Sequence, residues 1–522
     1  MNLWALLERA ASLWPARDAV REVSSSGESS TRCWREEHER CTRLAAALER
    51  AGAGGARVAV LETNSPAYLE TYLGAAGAGS ILCPLNTRLA PPELADILRE
   101  ARPVVLVVGP GQEQLATEAA ALAELDPTWL ALTGADPEAL GEQVLLQDDL
   151  PGAEGFRPRD VEGSTVAQLY FTSGTTGRSK GVQLTHGNVA AHALATVAEL
   201  GLRETDVWGH VAPMFHLADA WASFAVTQVG GCHVFQREFR ASSTLELFGR
   251  EKVSITNLVP TMLVRVVAEA EESDARSSLA LRLLLSGGAP IAPDVVERIE
   301  RVLGCPYAQT YGMTETSPYL TISLLTEEQE RLPAAEQLAA RARTGRPFLG
   351  IELQVVDDSD QPVPRDDRSV GEIRVRGAHV SPGYWNRPEE TARAFRDGWL
   401  YTGDLAVIDR TGSVDIVDRR KDMIVTGGEN VYSIEVENVL HEHPGVLEAA
   451  VHGRPDPEWG ERVCAAVVAR PGAAENSPNP EALREFCASR LAGYKVPREV
   501  RLLEELPRTG SGKISKRLLR ES

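Results

Sequence analysis

Short apolar runs alternate with segments of helical period through the first two-thirds of the chain. Residues 57–62 (RVAVLE), 104–108 (VVLVV), 166–171 (VAQLYF) and 281–285 (LRLLL) read as buried strands. Residues 43–51, 66–79 and 294–303 read as helices, the last because Val295, Val296, Ile299, Val302 and Leu303 recur at helical spacing. Such alternation predicts α/β layers built on parallel sheets. From about residue 351 the texture changes. Residues 351–356, 371–376 and 413–417 are short runs separated by Gly, Pro and Asp, which predict an antiparallel part. The run 415–422 (DIVDRRKD) ends a strand in alternating charge. A compact unit then follows: a helix at 433–443, a strand at 463–469, a helix at 480–491 and a basic tail. A boundary at 418–421 is expected, dividing residues 1–420 from 421–522. Alanine-rich patches at 115–125 and 334–342 read as surface helices.

The size and charge of the chain narrow its partners. Its 522 residues, 43% apolar and 25% charged, are ordinary for a globular protein and too apolar for a disordered tail. With 54 Lys and Arg against 74 Asp and Glu the net charge is −20, a poor basis for binding nucleic acid or an acidic membrane through bulk charge. A polyanionic ligand must therefore be held by a few placed cations and by backbone N–H groups. The seven cysteines are odd in number and form no C-x-x-C pair, so a disulfide framework or structural zinc site is not expected and a reducing cytoplasm is. Residues 1–14 carry Glu8 and Arg9 within an apolar stretch, as an amphipathic helix does and a leader peptide does not. His216, Asp219 and Gln228 interrupt the most apolar mid-chain region, so no membrane span is expected.

Residues 170–181, YFTSGTTGRSKG, are the most informative segment. A β-run enters a loop of Thr172, Ser173, Gly174, Thr175, Thr176 and Gly177, with Lys180 and Gly181 at its exit. Glycines let backbone N–H groups approach phosphate oxygens, hydroxyls add donors and lysine adds charge, which is what a triphosphate cradle needs. It is not a Walker loop, because Gly174 and Gly177 are too close and no Ser or Thr follows Lys180. A flexible surface turn is the plain alternative. The same stretch hides G-x-S-x-G around Ser179, the nucleophile elbow of hydrolases, for which His441, His443 or His452 would be the base. That chemistry needs a strand, a tight turn at the serine and a helix, whereas residues 182–184 look extended.

Other segments make sense beside it. Residues 283–290 (LLLSGGAP) end a strand in small residues, suiting a flat ring laid against backbone. Residues 311–315 (YGMTE) offer a ring, a hydroxyl and one carboxylate, and one carboxylate plus phosphate oxygens is a normal way to hold Mg²⁺. Residues 401–404 (YTGD) place a carboxylate after a glycine turn, suited to ribose hydroxyls. Residues 418–430 join a charge run to a Gly-Gly loop, and residues 507–518 present Lys513 on a Gly/Ser loop. Each alone reads sooner as turn chemistry or solvated charge than as a catalytic motif. Their order along the chain sets them apart.

That ordered set resembles the adenylate-forming superfamily of acyl-CoA synthetases, nonribosomal-peptide adenylation domains and firefly luciferase. The resemblance covers nearly the whole chain and is most specific in YFTSGTTGRSKG, YGMTE, YTGD, DRRKDMIVTGGENVYSIEVE and PRTGSGKISKRLLR. It implies an α/β fold: a large N-terminal adenylation domain of layered sheets with a small barrel-like part, and a small mobile α+β lid. It implies an ATP-dependent acid–thiol ligase of the acyl-CoA synthetase branch, using ATP, Mg²⁺ and CoA. In such proteins the 172–180 loop grips the β- and γ-phosphates. Gly288, Ala289 and Pro290 lie beside the adenine with Tyr311 and Gly312, Thr314 contacts the α-phosphate region, and Glu315 binds the metal. Asp404 and Arg419 hold the ribose. Lys513 bridges the acid and the nucleotide, a role the physics favours, since a carboxylate attacking a phosphate brings two anions together. Lys421 is the hinge whose motion brings Gly427 and Gly428 towards the thiol. Ser179 stands where the family usually has proline, which implies a more mobile loop.

The resemblance also speaks to the acid. His216 occupies the position of an aspartate that pairs with the ammonium of amino-acid substrates, so it points to the acyl-CoA branch. Val425 stands where luciferases carry a second catalytic lysine. The acyl pocket is expected from residues 208–221, 257–262 and 287–288, with His216, Asp219, Trp221 and Gly287 facing the acid. The bulk of Trp221 and the charge of Asp219 suggest a short or medium-chain or aromatic acid. The chain ending at Ser522 makes free CoA the expected acceptor, with a separate acyl-carrier protein as the runner-up, and a homodimer is left open.

Overall fold

The apolar runs form the centres of two largely parallel sheets in the computed structural model, which describes residues 2–23, 29–141, 144–173, 179–272, 278–288, 291, 293–470, 478–508 and 514–521. The chain forms two compact units, Met1–Leu353 with Val375–Leu400, and Gln354–Arg374 with Tyr401–Ser522. The boundary expected at 420/421 falls inside the second.

The first unit holds both large sheets. One has seven strands in the order Val144–Leu146, Thr128–Ala131, Val105–Val108, Arg57–Leu61, Ile81–Pro84, Val166–Ser173, Ser179–Thr185, antiparallel only in its last pair. Alternate residues of one strand enter different cores. Val58 and Val60 pack with Trp34, Tyr68 and Leu73, while Ala59 and Leu61 pack with Leu94, Leu98 and Ala116. Both faces are covered, which is why the run shows no polar alternation. The other sheet has nine strands in the order Arg346–Pro347, Tyr319–Ile322, Tyr307–Gly312, Leu283–Gly287, Ile255–Asn257, Val207–His210, Cys232–Phe235, Asp18–Val23, Ser29–Cys33. It is parallel from Tyr307–Gly312 to Asp18–Val23 and antiparallel outside that range.

Some boundaries differ from expectation for physical reasons. The helix expected at 43–51 is the second half of Trp34–Arg50. Its first half looks polar, yet Trp34, Glu37 and Cys41 are buried. The strand expected at 281–285 is Leu283–Gly287, because Arg282 turns away to pair with Asp206 at 2.7 Å. The helix Glu113–Leu122 buries Ala116, Ala119 and Ala120, so only its other side is surface, whereas Ala334–Ala342 buries no residue. The antiparallel part is a five-stranded sheet in which Trp399–Ile408 pairs with Val414–Arg419.

In the second unit, strands Glu429–Val431, Ile424–Thr426, Gly460–Ala469 and Val446–Asp456 form a sheet, with Glu499–Leu503 parallel to Gly460–Ala469. Val436 and Leu440 of helix Ser433–His441 and Leu483 of helix Pro480–Ala488 close its core with Ile424, Val451 and Val467. All seven cysteines are free thiols, and Cys33 alone is not buried. Among the described residues no helix is long and apolar enough to cross a membrane.

The ends of the two large sheets are tied at one loop. Asn64, just past strand Arg57–Leu61, donates from Nδ2 to the carbonyls of His210 at 3.0 Å and Ala212 at 2.9 Å. Its Oδ1 accepts the Met214 N–H at 2.8 Å. The Tyr72 hydroxyl donates to the Met214 carbonyl at 2.8 Å and lies 2.8 Å from the Tyr170 hydroxyl. The pentad Ala212–His216 is therefore held from the opposite sheet. Asn64→Ala removes the hydrogen bonds given to the Ala212 carbonyl and the Met214 N–H, while the His210 carbonyl keeps the Gln236 N–H at 3.0 Å; denaturant unfolding is expected to show a loss of about 2 kcal/mol or more, and an unchanged midpoint would remove Asn64 as the seam.

Candidate active site

The residues flanking the phosphate-type loop form a hairpin. Thr172 opposes Lys180 and Ser173 opposes Ser179 across the antiparallel pair. Gly174, Thr175, Thr176 and Gly177 lie outside the described residues. Ser179 opens the strand Ser179–Thr185, so the strand–turn–helix of a nucleophile elbow is absent at this serine. The exit strand is clamped by a later segment. Gly181 accepts the Trp385 N–H at 2.7 Å, Gln183 donates its N–H to the Gly383 carbonyl at 3.1 Å, and Val182 bridges Tyr384.

Tyr384 then links two charges. The Lys180 ammonium lies 5.0 Å from the centre of its ring. Its hydroxyl donates to Glu315 Oε1 at 2.8 Å. Burial, and then the Glu315 charge, push the phenol above its usual range, so it stays a donor. Glu315 sits in the short turn Thr314–Thr316 and is 7% exposed. Its carbonyl accepts the Ser381 N–H at 2.7 Å.

Beside that turn, backbone is laid bare. Gly287 opposes Thr310, and a Cβ there would stand 2.6 Å from the Thr310 hydroxyl oxygen. Gly288 has φ +94°, and Gly312 runs so close that a Cβ would meet the Pro318 carbonyl at 1.9 Å. Only glycine fits either place. With Tyr311 alongside, this glycine backbone lies at the carboxyl ends of parallel strands, where open α/β sheets collect ligands. Ala289 and Pro290 lie outside the described residues. Among the described residues no group of three or more His, Cys, Asp or Glu side chains forms a metal cage. The lone carboxylate of Glu315 fits Mg²⁺ of the kind completed by phosphate oxygens and water.

The expected acid-side residues part company. His216 is half-buried, its ring 4.7 Å from that of Phe215. Asp219 is fully buried and turns inwards, accepting from His210 Nδ1 at 2.5 Å and Trp208 Nε1 at 3.2 Å. Trp221 packs edge-on against Trp208, ring centres 4.8 Å apart, and donates to the Ala218 carbonyl at 3.0 Å. His210 Nε2 lies 2.9 Å from His233 Nδ1, and His233 Nε2 lies 3.2 Å from the Thr227 hydroxyl. Thr227 donates its one proton to the Ser223 carbonyl at 2.6 Å. Hydrogen-bond counting therefore makes His233 Nε2 a donor and its Nδ1 an acceptor, so His210 donates from Nε2 to His233 and from Nδ1 to the Asp219 carboxylate. Burial, then the charge of His210, hold His233 well below the usual histidine range, consistent with a neutral ring.

In the second unit, Asp404 and Arg419 face each other across paired strands, Arg419 Nε 3.4 Å from Asp404 Oδ1. Burial and then Arg419 lower the Lys421 ammonium pKa. Gly427 and Gly428, at φ +60° and +85°, make the two-residue turn between Ile424–Thr426 and Glu429–Val431. The Gly427 N–H donates to the Trp459 carbonyl at 2.8 Å. Lys513 lies outside the described residues. The sequence motifs do not single out Tyr384, His233 or Asn64, and they reach His210 only as part of the 208–221 stretch. Little in the spacing marks them: Tyr384 meets Glu315 across 69 residues, Asn64 meets Met214 across 150 and His210 meets His233 across 23.

Known proteins resemble this chain along nearly its whole length. The family described as AMP-binding enzyme matches residues 7–385, and its C-terminal domain matches residues 435–513. A long-chain-fatty-acid–CoA ligase of Thermus thermophilus is 36% identical over 100% of this chain and 95% of its own length. A feruloyl-CoA synthase of Amycolatopsis sp is 37% identical over 96% of this chain and 97% of its own. The crystal structure of ATP-bound MatB from Rhodopseudomonas palustris superposes with a TM-score of 0.84 at 31% identity, covering 100% of this chain and 99% of that one.

Asp219→Asn supplies one acceptor oxygen where two buried donors need partners. It is expected to lower the unfolding midpoint by an amount worth about 2–3 kcal/mol. Calorimetric melting checks this, and wild-type stability in the variant would contradict the hydrogen-bond assignment.

Proposed function

The chain belongs to the AMP-binding enzyme family, in its acyl-CoA ligase branch, and from that membership we propose which of its residues carry each part of the reaction. The reaction is ATP-dependent acid–thiol ligation. A carboxylate attacks the α-phosphorus of ATP and pyrophosphate leaves. The thiol of CoA then attacks the acyl carbonyl and AMP departs. The observation that best supports the residue roles is the placement of Lys180 and Glu315 at the face and the tip of Tyr384, a cation and an anion presented beside bare glycine backbone.

Thr172, Ser173, Gly174, Thr175, Thr176, Gly177 and Lys180 take the β- and γ-phosphates through N–H groups, hydroxyls and one ammonium. Tyr311, Gly312, Gly288, Ala289 and Pro290 receive the adenine, and Thr314 contacts the α-phosphate. Glu315 would hold Mg²⁺ with phosphate oxygens, and the ion when bound offsets charge on the departing pyrophosphate. Asp404 accepts from the ribose hydroxyls, with Arg419 holding its carboxylate in place. Lys513 supplies the cation between the acid and the α-phosphate, where two anions must otherwise meet. Lys421 is the hinge for exchanging half-reactions, in a lid running from 421 to 522, and Gly427 and Gly428 then serve the thiol.

A short, medium-chain or aromatic acid is the substrate class we favour. The Trp208–Trp221 pair adds rigid bulk within the 208–221 stretch expected to line the acid, and likeness to a feruloyl-CoA synthase points the same way. His216 in place of a carboxylate speaks against an amino-acid ammonium. Seven free thiols suit a cytoplasmic location.

Pyrophosphate release across acids from acetate to dodecanoate, with benzoates, tests the reading; no acid-dependent release from any of them would sink it. Lys513→Ala is expected to lose release by roughly a thousandfold while still making thioester from supplied acyl-adenylate. Near-normal release by that variant would refute the lysine's role, and thioester found only on a carrier protein would reassign the acceptor. Lys421→Pro is expected to retain one half-reaction and lose the other; if both persist at wild-type rates, Lys421 is not the hinge.

A further inference from the structure

We propose that Tyr384 is a positioning residue that keeps the Lys180 ammonium and the Glu315 carboxylate from pairing with each other, so that each meets the metal–nucleotide complex instead. The inference rests on the proposed roles of Lys180 and Glu315 and extends them to a side chain with no role assigned so far. Two opposite charges that reach one ring are within reach of an ion pair, and an ion pair would spend both on each other. The phenol gives each a different partner. The ring face takes the ammonium at 5.0 Å, within cation–π range, and the hydroxyl takes the carboxylate at 2.8 Å.

The placement of Tyr384 is fixed by main-chain bonds to both elements it separates. Val182 bridges it on the Lys180 side, with Trp385 N–H to Gly181 and Gln183 N–H to Gly383. On the Glu315 side, Ser381 N–H reaches the Glu315 carbonyl. Its own N–H donates to the Thr391 hydroxyl at 3.0 Å, and its ring sits edge-on to Phe395 with centres 6.0 Å apart. Asn188 anchors the start of the segment by donating to the carbonyls of Ala378 and Val380. The phenol is therefore held by backbone and does not follow either charge.

Calorimetric binding of ATP to the full chain, without acid and with or without Mg²⁺, tests this. Tyr384→Phe keeps the ring and loses the hydroxyl. It is expected to cut the Mg²⁺ enhancement of ATP affinity about tenfold, the loss of one hydrogen bond to a charged group, and to leave metal-free affinity unchanged. Tyr384→Leu removes the spacer as well and is expected to weaken metal-free binding about tenfold, as Lys180 turns to Glu315. Adding Glu315→Gln to Tyr384→Leu is expected to restore metal-free affinity, a rescue that a merely structural role would not give. Wild-type Mg²⁺ enhancement in Tyr384→Phe, or no rescue in the double variant, overturns the inference. Glu315→Gln alone separates the two levels: if it keeps the full Mg²⁺ enhancement, the metal-site reading itself fails; if it loses the enhancement and Tyr384→Phe does not, only the spacer is wrong. Should Tyr384→Leu not fold, Tyr384→Phe still decides.

Discussion

A parallel sheet ends its strands in backbone that has run out of ladder partners, and here the amide of Asn64 takes up such groups for the opposite sheet. Its three hydrogen bonds define the course of the chain through His210, Ala212 and Met214. The same Met214 is reached by Tyr72, which touches Tyr170, the residue that leads into the phosphate-type hairpin. One run of contacts thus connects the 172–180 hairpin of the first unit with the His216 side. Neither sheet alone could hold both, because each supplies only one end of the run.

The polarity of the site is local and opposed to the protein as a whole. A chain of net charge −20 offers no general attraction to phosphates, so every useful cation has to be placed and then protected from the surrounding carboxylates. Two solutions appear. Around Lys180 an aromatic ring separates the charges. Around His210 a buried carboxylate is instead closed by hydrogen bonds, Asp219 accepting from His210 and Trp208 deep in the core. The first keeps charge available, and the second turns a buried carboxylate into scaffolding beneath the turn that carries His216 and Trp221.

How much of this was readable beforehand depended on whether the cause was local. Val58 to Leu61 announce a strand covered on both faces by composition alone, and the two glycines at 427 and 428 announce a tight turn. The hydroxyl- and glycine-rich stretch at 172–177 and the YGMTE motif stand out locally, because a phosphate or metal ligand would ask for those residue types side by side. Asp219 misled for the same reason: beside His216 it looked like a pocket residue, and only the fold reveals His210 behind it. Tyr384 gave no local sign, since its meaning comes from Glu315, 69 residues earlier, and Lys180, on another strand. The start of Trp34–Arg50 hid likewise, because buried Glu37 is matched by Arg32 from the neighbouring strand and not by its own helix.

Six of the seven sulfur atoms belong to buried residues. Burial pushes Cys83, Cys232 and Cys305 up to about 12 and Cys487 up to about 11. At neutral pH these groups are protonated and sealed off, so peroxide or a glutathione-type oxidant finds little nucleophile to attack. Thiol oxidation is thereby narrowed to Cys33, at the head of the helix Trp34–Arg50.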